Sequence, residues 1–225
     1  MSKKSLRIHL VVLLVVSAMI GILLNFYATD DNSDFALPVV LAYNDSQTAR
    51  SSAVYIGSGY FLTAAHILDD AQRQVLIETN LGQSAVVDIL WNAVEYDITL
   101  LYYENYQDLE INQFSINCEP LSYGTELRFM GNPRDAEFIT TWGRVSSYAI
   151  TNDDNIWSRV IPVDASIIPG MSGGAAVDEQ DRLRGIIVGT LRSIVGVSNF
   201  GTPVPSFTGI SFIVEGADIC HLMGR

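Results

Sequence analysis

The sequence predicts an all-β protein: two packed antiparallel β-barrels and a short C-terminal helix, preceded by an N-terminal transmembrane or signal segment. Three observations predict it. About ten short runs rich in β-branched and aromatic residues recur between turn residues, the pattern of a sandwich or barrel. Almost no stretch keeps a 3.6-residue apolar period, the exception being Glu215–Met223, where Ile219, Leu222 and Met223 share a face. One uninterrupted apolar run stands at the N-terminus, ahead of an acidic body.

That run comes first in the chain. Leu10 to Leu24 holds 15 residues without a charge, and weaker flanks extend it to about 20, close to the length that crosses a ~30 Å hydrocarbon core. Lys3, Lys4 and Arg7 precede it and hold the N-terminus inside. An uncleaved membrane anchor fits better than a cleaved signal peptide. Val16-Ser17-Ala18 offers a cleavage site, but cutting there would leave Met19 to Leu24 as an apolar stub. Either outcome sends the body out of the cytoplasm, to the periplasm or beyond the cell, and cleavage would make the protein secreted. Residues 1–28 are thus the anchor or signal, 29–36 a short polar tether, and 37–225 the remaining domain, long enough for one large or two small cores.

Within that domain the predicted strands are Ala53–Ile56, Tyr60–Ala64, Gln74–Glu78, Ser84–Trp91, Ile98–Tyr103, Glu126–Met130, Phe138–Ser146, Arg159–Val163, Arg184–Gly189 and Gly209–Val214. Gly57-Ser58-Gly59, Asn80 to Gly82, Gly131-Asn132-Pro133 and Thr151–Asn155 separate them. This is too much chain for one small barrel, so the division expected is a first barrel at about 37–120 and a second at about 121–214, with the helix at 215–223.

Charge excludes one class of partner. The chain carries 13 Lys+Arg against 25 Asp+Glu, a formal −12, and the three basic residues of the N-terminus leave the body more acidic still. Nucleic acid is not expected on such a surface, because phosphate binding needs clustered cations. No metal set and no cofactor motif is visible: Asp30, Asp31 and Asp34 read as solvated tether charge, and the two cysteines stand 102 positions apart.

Three features carry chemistry. Of three histidines, His9 lies in the apolar segment and His221 near the end, which leaves His66, after the run Gly59-Tyr60-Phe61-Leu62-Thr63-Ala64-Ala65, as the candidate imidazole of the body. Alone it could equally be a satisfied structural histidine. Pro169-Gly170-Met171-Ser172-Gly173-Gly174 surrounds a serine with glycines, which lets the backbone turn tightly and aim successive N–H groups at one point, as an oxyanion requires. Alone it could be a turn, and it also fits the nucleophile elbow of α/β-hydrolases. That elbow needs several βα units and an acid-then-histidine order after the serine, and only 53 residues remain. Asp97 opens the apolar run Ile98-Thr99-Leu100-Leu101, where a carboxylate is costly unless an imidazole N–H or a turn satisfies it.

Taken in order, these strings resemble the chymotrypsin-fold serine proteases, specifically the HtrA-like (Deg-type) branch. The resemblance runs through Gly57-Ser58-Gly59-Tyr60, Leu62-Thr63-Ala64-Ala65-His66 and Asp97-Ile98-Thr99-Leu100-Leu101. It continues in Gly124 to Pro133, Gly143-Arg144-Val145-Ser146, Asp164 to Ala175, Arg184 to Gly189 and Gly209-Ile210-Ser211-Phe212. It implies a serine endopeptidase acting on protein or peptide substrates. Ser172 would be the nucleophile, His66 the general base and acid, and Asp97 the residue that orients His66. The backbone N–H groups of Gly170 and Ser172 would form the oxyanion hole. Ile167, Ile168, Val188, Gly189, Thr190 and Leu191 would line the first specificity pocket and pair with substrate backbone.

Two departures shape the expectation. Met171 replaces the aspartate that in digestive-type members pairs with a newly cut N-terminus, so activation by such a cut is not expected. HtrA members usually continue into a PDZ domain, whereas this sequence stops at Arg225, so regulation is expected from loops, an oligomer or a partner; an oligomer is compatible with the sequence, which carries no signature of one. The competing reading is a catalytically inactive protease-fold binding module tethered to a membrane. Cys118 and Cys220 either bond, closing a loop of about 100 residues, or pack as two thiols.

Overall fold

The computed structural model describes residues 36–44, 50–69, 72–151, 157–198 and 202–225. The N-terminal apolar segment and the tether up to Phe35 therefore lie outside the described residues, as does most of the turn expected at Thr151–Asn155. Among the described residues no helix is long and apolar enough to cross a membrane.

Two barrels of six strands each form the body. The first contains β1 (Val39–Tyr43), β2 (Arg50–Gly57), β3 (Tyr60–Ala64), β4 (Gln74–Glu78), β5 (Ser84–Ala93) and β6 (Ile98–Tyr102). They close in the order β1-β2-β3-β6-β5-β4, with β4 pairing back onto β1. After the short β7 (Ser115–Ile116), the second barrel is built from β8 (Glu126–Gly131), β9 (Ile139–Val145), β11 (Arg159–Asp164), β12 (Ala175–Val177), β13 (Arg182–Val197) and β14 (Pro203–Glu215), with the two-residue β10 (Ile150–Thr151) on its edge. The ring β8-β9-β11-β14-β13-β12 closes through the β9–β11 pairing. Helix α1 (Gly216–Leu222) follows. An all-β body of this kind excludes the α/β-hydrolase elbow for the serine loop.

Strand periodicity explains how two barrels share one chain. Side chains alternate across a strand, so where both faces are buried one face fills its own barrel and the next meets the other barrel. On β3, Phe61 enters the first barrel's core and Leu62 the cluster between barrels. On β12, Ala176 lies inside the second barrel while Ala175 and Val177 face the interface. The interface cluster also takes Val54, Ile98, Ile186, Val214 and, from α1, Ile219, with Leu222 and Met223 packed against it. Met171, fully buried, belongs to the second barrel's core. Cys118 and Cys220 are bonded, with Cα atoms 5.7 Å apart, and tie α1 to the segment between the barrels.

The β13–β14 hairpin is longer than the sequence suggests. Beyond the barrel its arms run on to Val197 and from Pro203, with Leu191 to Val197 and Pro203 to Phe207 exposed. The strands expected from the sequence, Arg184–Gly189 and Gly209–Val214, leave Gly196, Pro203 and Pro205 unassigned. Here the register slips between Thr190 and Arg192 and between Ile194 and Gly196, bulges that accommodate them while the arms stay paired.

Candidate active site

Antiparallel β3 and β6 place His66 and Asp97 side by side. Ala64 at the end of β3 pairs with Ile98 at the start of β6, so the residues just beyond each end emerge together. His66 lies in a 3-10 turn over Ala65–Ile67, and Asp97 caps another over Val94–Tyr96 with φ at +56°. That left-handed backbone, which a short polar side chain tolerates better than a β-branched one, brings the carboxylate back over the histidine. Asp97 Oδ1 accepts the His66 backbone N–H at 2.7 Å, and Oδ2 faces His66 Nδ1 at 2.6 Å. Asp97 is 2% exposed, so these bonds are what make its charge tolerable. Trp157 adds a third donor, Nε1 to Asp97 Oδ2 at 2.9 Å.

Ser172 comes from the second barrel, on the loop between β11 and β12. A cleft of about 470 Å³ between the barrels is lined by His66, Ser172, Gly170, Trp157, Asp69, Arg50 and Arg192. Of the residues expected in the specificity pocket, Ile167, Ile168, Val188, Gly189 and Thr190 line this cleft, whereas Leu191 lies outside the lining and is 44% exposed. No hydrogen bond joins Ser172 Oγ to His66 among the described residues; the structure joins His66 to Asp97 directly and brings Ser172 to the same cavity wall.

Backbone geometry sets the loop before the serine. Gly170 has φ at +102°, and a Cβ there would stand 2.4 Å from the Asn132 carbonyl oxygen. Only glycine fits both demands. The Pro169 carbonyl accepts from Arg134 N–H at 3.0 Å. Because a trans peptide sends its C=O and N–H in opposite directions, this directs Gly170 N–H away from Arg134. Among the described residues neither that N–H nor the Ser172 N–H has a protein acceptor. Gly173, at φ +81°, is also confined: a Cβ would lie 2.0 Å from the Ser52 carbonyl oxygen.

The residues that hold this loop were not singled out in the sequence. Ser52, fully buried on β2, donates its Oγ to the Gly170 carbonyl at 3.0 Å and accepts from Asn132 N–H at 2.8 Å. Its own N–H reaches the Ser172 carbonyl at 2.9 Å. Arg50, also on β2, donates through Nη2 to the carbonyls of Pro133, Arg134 and Ala136 at 2.8 to 3.1 Å and pairs with Glu137 at 2.7 Å. The first barrel thus clamps the serine loop of the second. Among the described residues no group of three His, Cys, Asp or Glu could hold a metal ion.

Two six-stranded barrels with a histidine held by a buried aspartate and a glycine-flanked serine across the cleft between them define a chymotrypsin-fold protein of the serine protease class. The comparisons give the family: residues 51–186 match the model of the trypsin-like peptidase domain, and the chain belongs to that family. It is similar to protease Do-like 2, chloroplastic, of Arabidopsis thaliana, 26% identical over 208 residues, which cover 88% of this chain and 33% of the relative. It is also similar to the serine protease HtrA-like of Staphylococcus aureus (strain USA300), 26% identical over 190 residues, 78% of this chain and 24% of that one. The chain therefore spans a third or less of these curated relatives. Among solved structures, the HtrA-type protease AlgW with tripeptide superposes with a TM-score of 0.65 at 26% identity, over 84% of this chain and 60% of that one. The serine endoprotease from Yersinia pestis, at 24% identity and a TM-score of 0.61 over 83% and 61% of the two chains, supports the fold alone.

Proposed function

We propose that this chain is a serine endopeptidase that cleaves protein or peptide substrates outside the cytoplasm. The observation that carries the reading is the 2.6 Å contact of His66 Nδ1 with buried Asp97, in a cleft that Ser172 and Gly170 also line. In this reading Asp97 accepts the Nδ1 proton and thereby leaves Nε2 of His66 free to take the proton of Ser172 Oγ. The oxygen attacks the substrate carbonyl, the N–H groups of Gly170 and Ser172 receive the oxyanion, and His66 returns the proton to the leaving amine. Water then hydrolyses the acyl-enzyme by the same path.

The similar HtrA-type protease AlgW was solved with a tripeptide, which is in keeping with a peptide ligand here. Ile168 and Val188 on the cleft wall favour a small or medium aliphatic residue on the acyl side of the cut bond. Asp164, the nearest acid in sequence to the serine loop, is exposed and does not line the cleft. An apolar pocket separates neighbouring aliphatics by only about 1–3 kcal/mol per methylene, so the preference is broad. The apolar N-terminal segment behind Lys3, Lys4 and Arg7 supports a membrane anchor, and the Cys118–Cys220 bond supports an oxidising compartment.

The test is a peptide-library digest with purified protein and with Ser172→Ala. Cleavage after aliphatic residues by the wild type, and none by a folded Ser172→Ala, is the expected result. A profile dominated by Arg or Lys would refute the pocket. Equal turnover by Ser172→Ala would refute the nucleophile.

A further inference from the structure

Asp97 is held by three hydrogen bonds, and two of them come from His66 itself. The third comes from Trp157, which stands just ahead of β11 in the second barrel and gives Nε1–H to the same oxygen, Oδ2, that faces His66 Nδ1. Trp157 is in turn fixed on two sides. Its ring lies against Phe212 with centroids 5.4 Å apart, and the next residue, Ser158, gives its N–H to the Glu95 carbonyl at 2.7 Å, in the turn that ends on Asp97. The other edge of the indole covers Gly189: a Cβ at Gly189 would lie 2.8 Å from Trp157 Cη2 and Cζ2. Gly189 lacks the positive φ that would demand glycine, so its missing side chain is explained by the indole alone.

We infer that Trp157 is a positioning residue for the triad, fixing the Asp97 carboxylate through its indole N–H while its ring edge forms the cleft wall beside Gly189. The inference rests on the catalytic reading of His66, Asp97 and Ser172 given above. A carboxylate held only by its histidine could turn about its Cβ–Cγ bond and carry the imidazole with it. A donor from the opposite barrel fixes that plane, so the direction of His66 Nε2 is set before substrate arrives. Removing the N–H also leaves Oδ2 with one donor in place of two, which strengthens the bond from His66 Nδ1. The charged groups around the pair, Arg50, Asp69 and Arg192 on the cleft walls, are untouched by the change.

Both variants in the test remove the donor, and the second keeps the bicyclic ring. In one variant Trp157→Phe is made; in a second, Trp157 is replaced by 3-benzothienylalanine, which has the indole shape without the N–H. Wild-type reaction with a fluorophosphonate checks the catalytic reading first and separately. The expected result in both variants is a roughly tenfold fall in kcat, the scale of one lost hydrogen bond to a charged group. KM is expected to change less than about twofold in the benzothienylalanine variant, which keeps the wall, and to change more in Trp157→Phe, whose smaller ring gives up the edge beside Gly189. The low-field proton resonance of His66 Nδ1–H moves downfield in both, and 5-fluorotryptophan at position 157, which retains the N–H, restores wild-type kcat. An unchanged resonance overturns the inference, whether or not kcat falls, because a merely structural tryptophan would not touch that proton. That resonance belongs to the resting protein, so it decides the matter even if the wild type fails to react with the probe.

Discussion

Replacing Ser52 with alanine removes a single oxygen atom from between the barrels. Ser52→Ala keeps the backbone bond to the Ser172 carbonyl but deprives two backbone groups of their partner, the Gly170 carbonyl and the Asn132 N–H. Asn132 Nδ2 retains the Val40 carbonyl at 3.0 Å and so is not orphaned. A buried group left unpaired costs about 1–3 kcal/mol. Asn132 is fully buried and takes the full range, whereas Gly170 is only part-buried and takes the lower end. The sum is about 2–4 kcal/mol, and the space vacated by one hydroxyl is smaller than the ~30 Å³ share of a water that could repair the loss. For a domain of this size the midpoint of thermal unfolding falls by roughly 5–15 °C.

Activity should suffer separately from stability. With its carbonyl released, the Gly170–Met171 peptide loses its anchor while the Pro169–Gly170 peptide stays held by Arg134, so the proposed oxyanion donor is loosened rather than lost; a full oxyanion donor is worth about 10²–10³ in kcat. A loosened donor should cost about tenfold, with KM changing less. Thermal unfolding by circular dichroism, and peptide hydrolysis at 20 °C below the variant's own midpoint, measure the two effects. Wild-type stability together with wild-type kcat would refute the claim that the first barrel holds the serine loop.

The bond between Cys118 and Cys220 closes a loop across a sequence separation of 102. The chain-entropy model gives at most about 4–5 kcal/mol for such a loop, so the double variant Cys118→Ser, Cys220→Ser should show a lower urea midpoint, and wild-type behaviour would show the bond to be stabilising nothing. Asp178 gives a pH prediction. Burial alone would raise its carboxyl, but the Arg182 backbone N–H and guanidinium, with the Gln180 N–H, outweigh burial and hold it below the usual value. A carboxyl depressed in the folded state contributes stability that is complete above its unfolded value, about 3.9, and that is lost as pH falls through the folded value. Asp178→Asn should therefore be less stable than wild type at neutral pH, and its stability should fall less steeply below about pH 4; parallel curves from urea titrations across that range would contradict the assignment.

Much of the barrel framework was legible because its strands are rich in β-branched and aromatic residues, buried on both faces in Ile98–Tyr102 and at alternate positions in Gln74–Glu78. Tyr60–Ala64 and Gln74–Glu78 have the boundaries the sequence suggested, and most others differ by a few residues at their ends, whereas β13 and β14 run well beyond Gly189 and ahead of Gly209. β12 was missed because Ala175 and Ala176 carry no strand signal; both are fully buried, Ala175 in the cluster between barrels and Ala176 inside the second. β1 was missed as well: Val39–Tyr43, directly behind Pro38, fell within the span given to the first barrel but was not assigned as a strand. At the site, His66, Asp97 and Ser172 stood out through local strings. Ser52, Arg50 and Trp157 did not, because each acts on a partner 60 or more positions away. Only the closing of two barrels against each other brings those pairs together, and no local pattern encodes it.

The central claim is that Ser172 is a nucleophile activated by His66. Intact-mass and peptide-level mass spectrometry after incubation with a fluorophosphonate measures this at the atom concerned. The account predicts a single adduct on Ser172 in the wild type, absent in Ser172→Ala and slowed at least a hundredfold in His66→Ala, the scale of lost general-base catalysis. Labelling of the wild type at another residue, or at the same rate in His66→Ala, would contradict it.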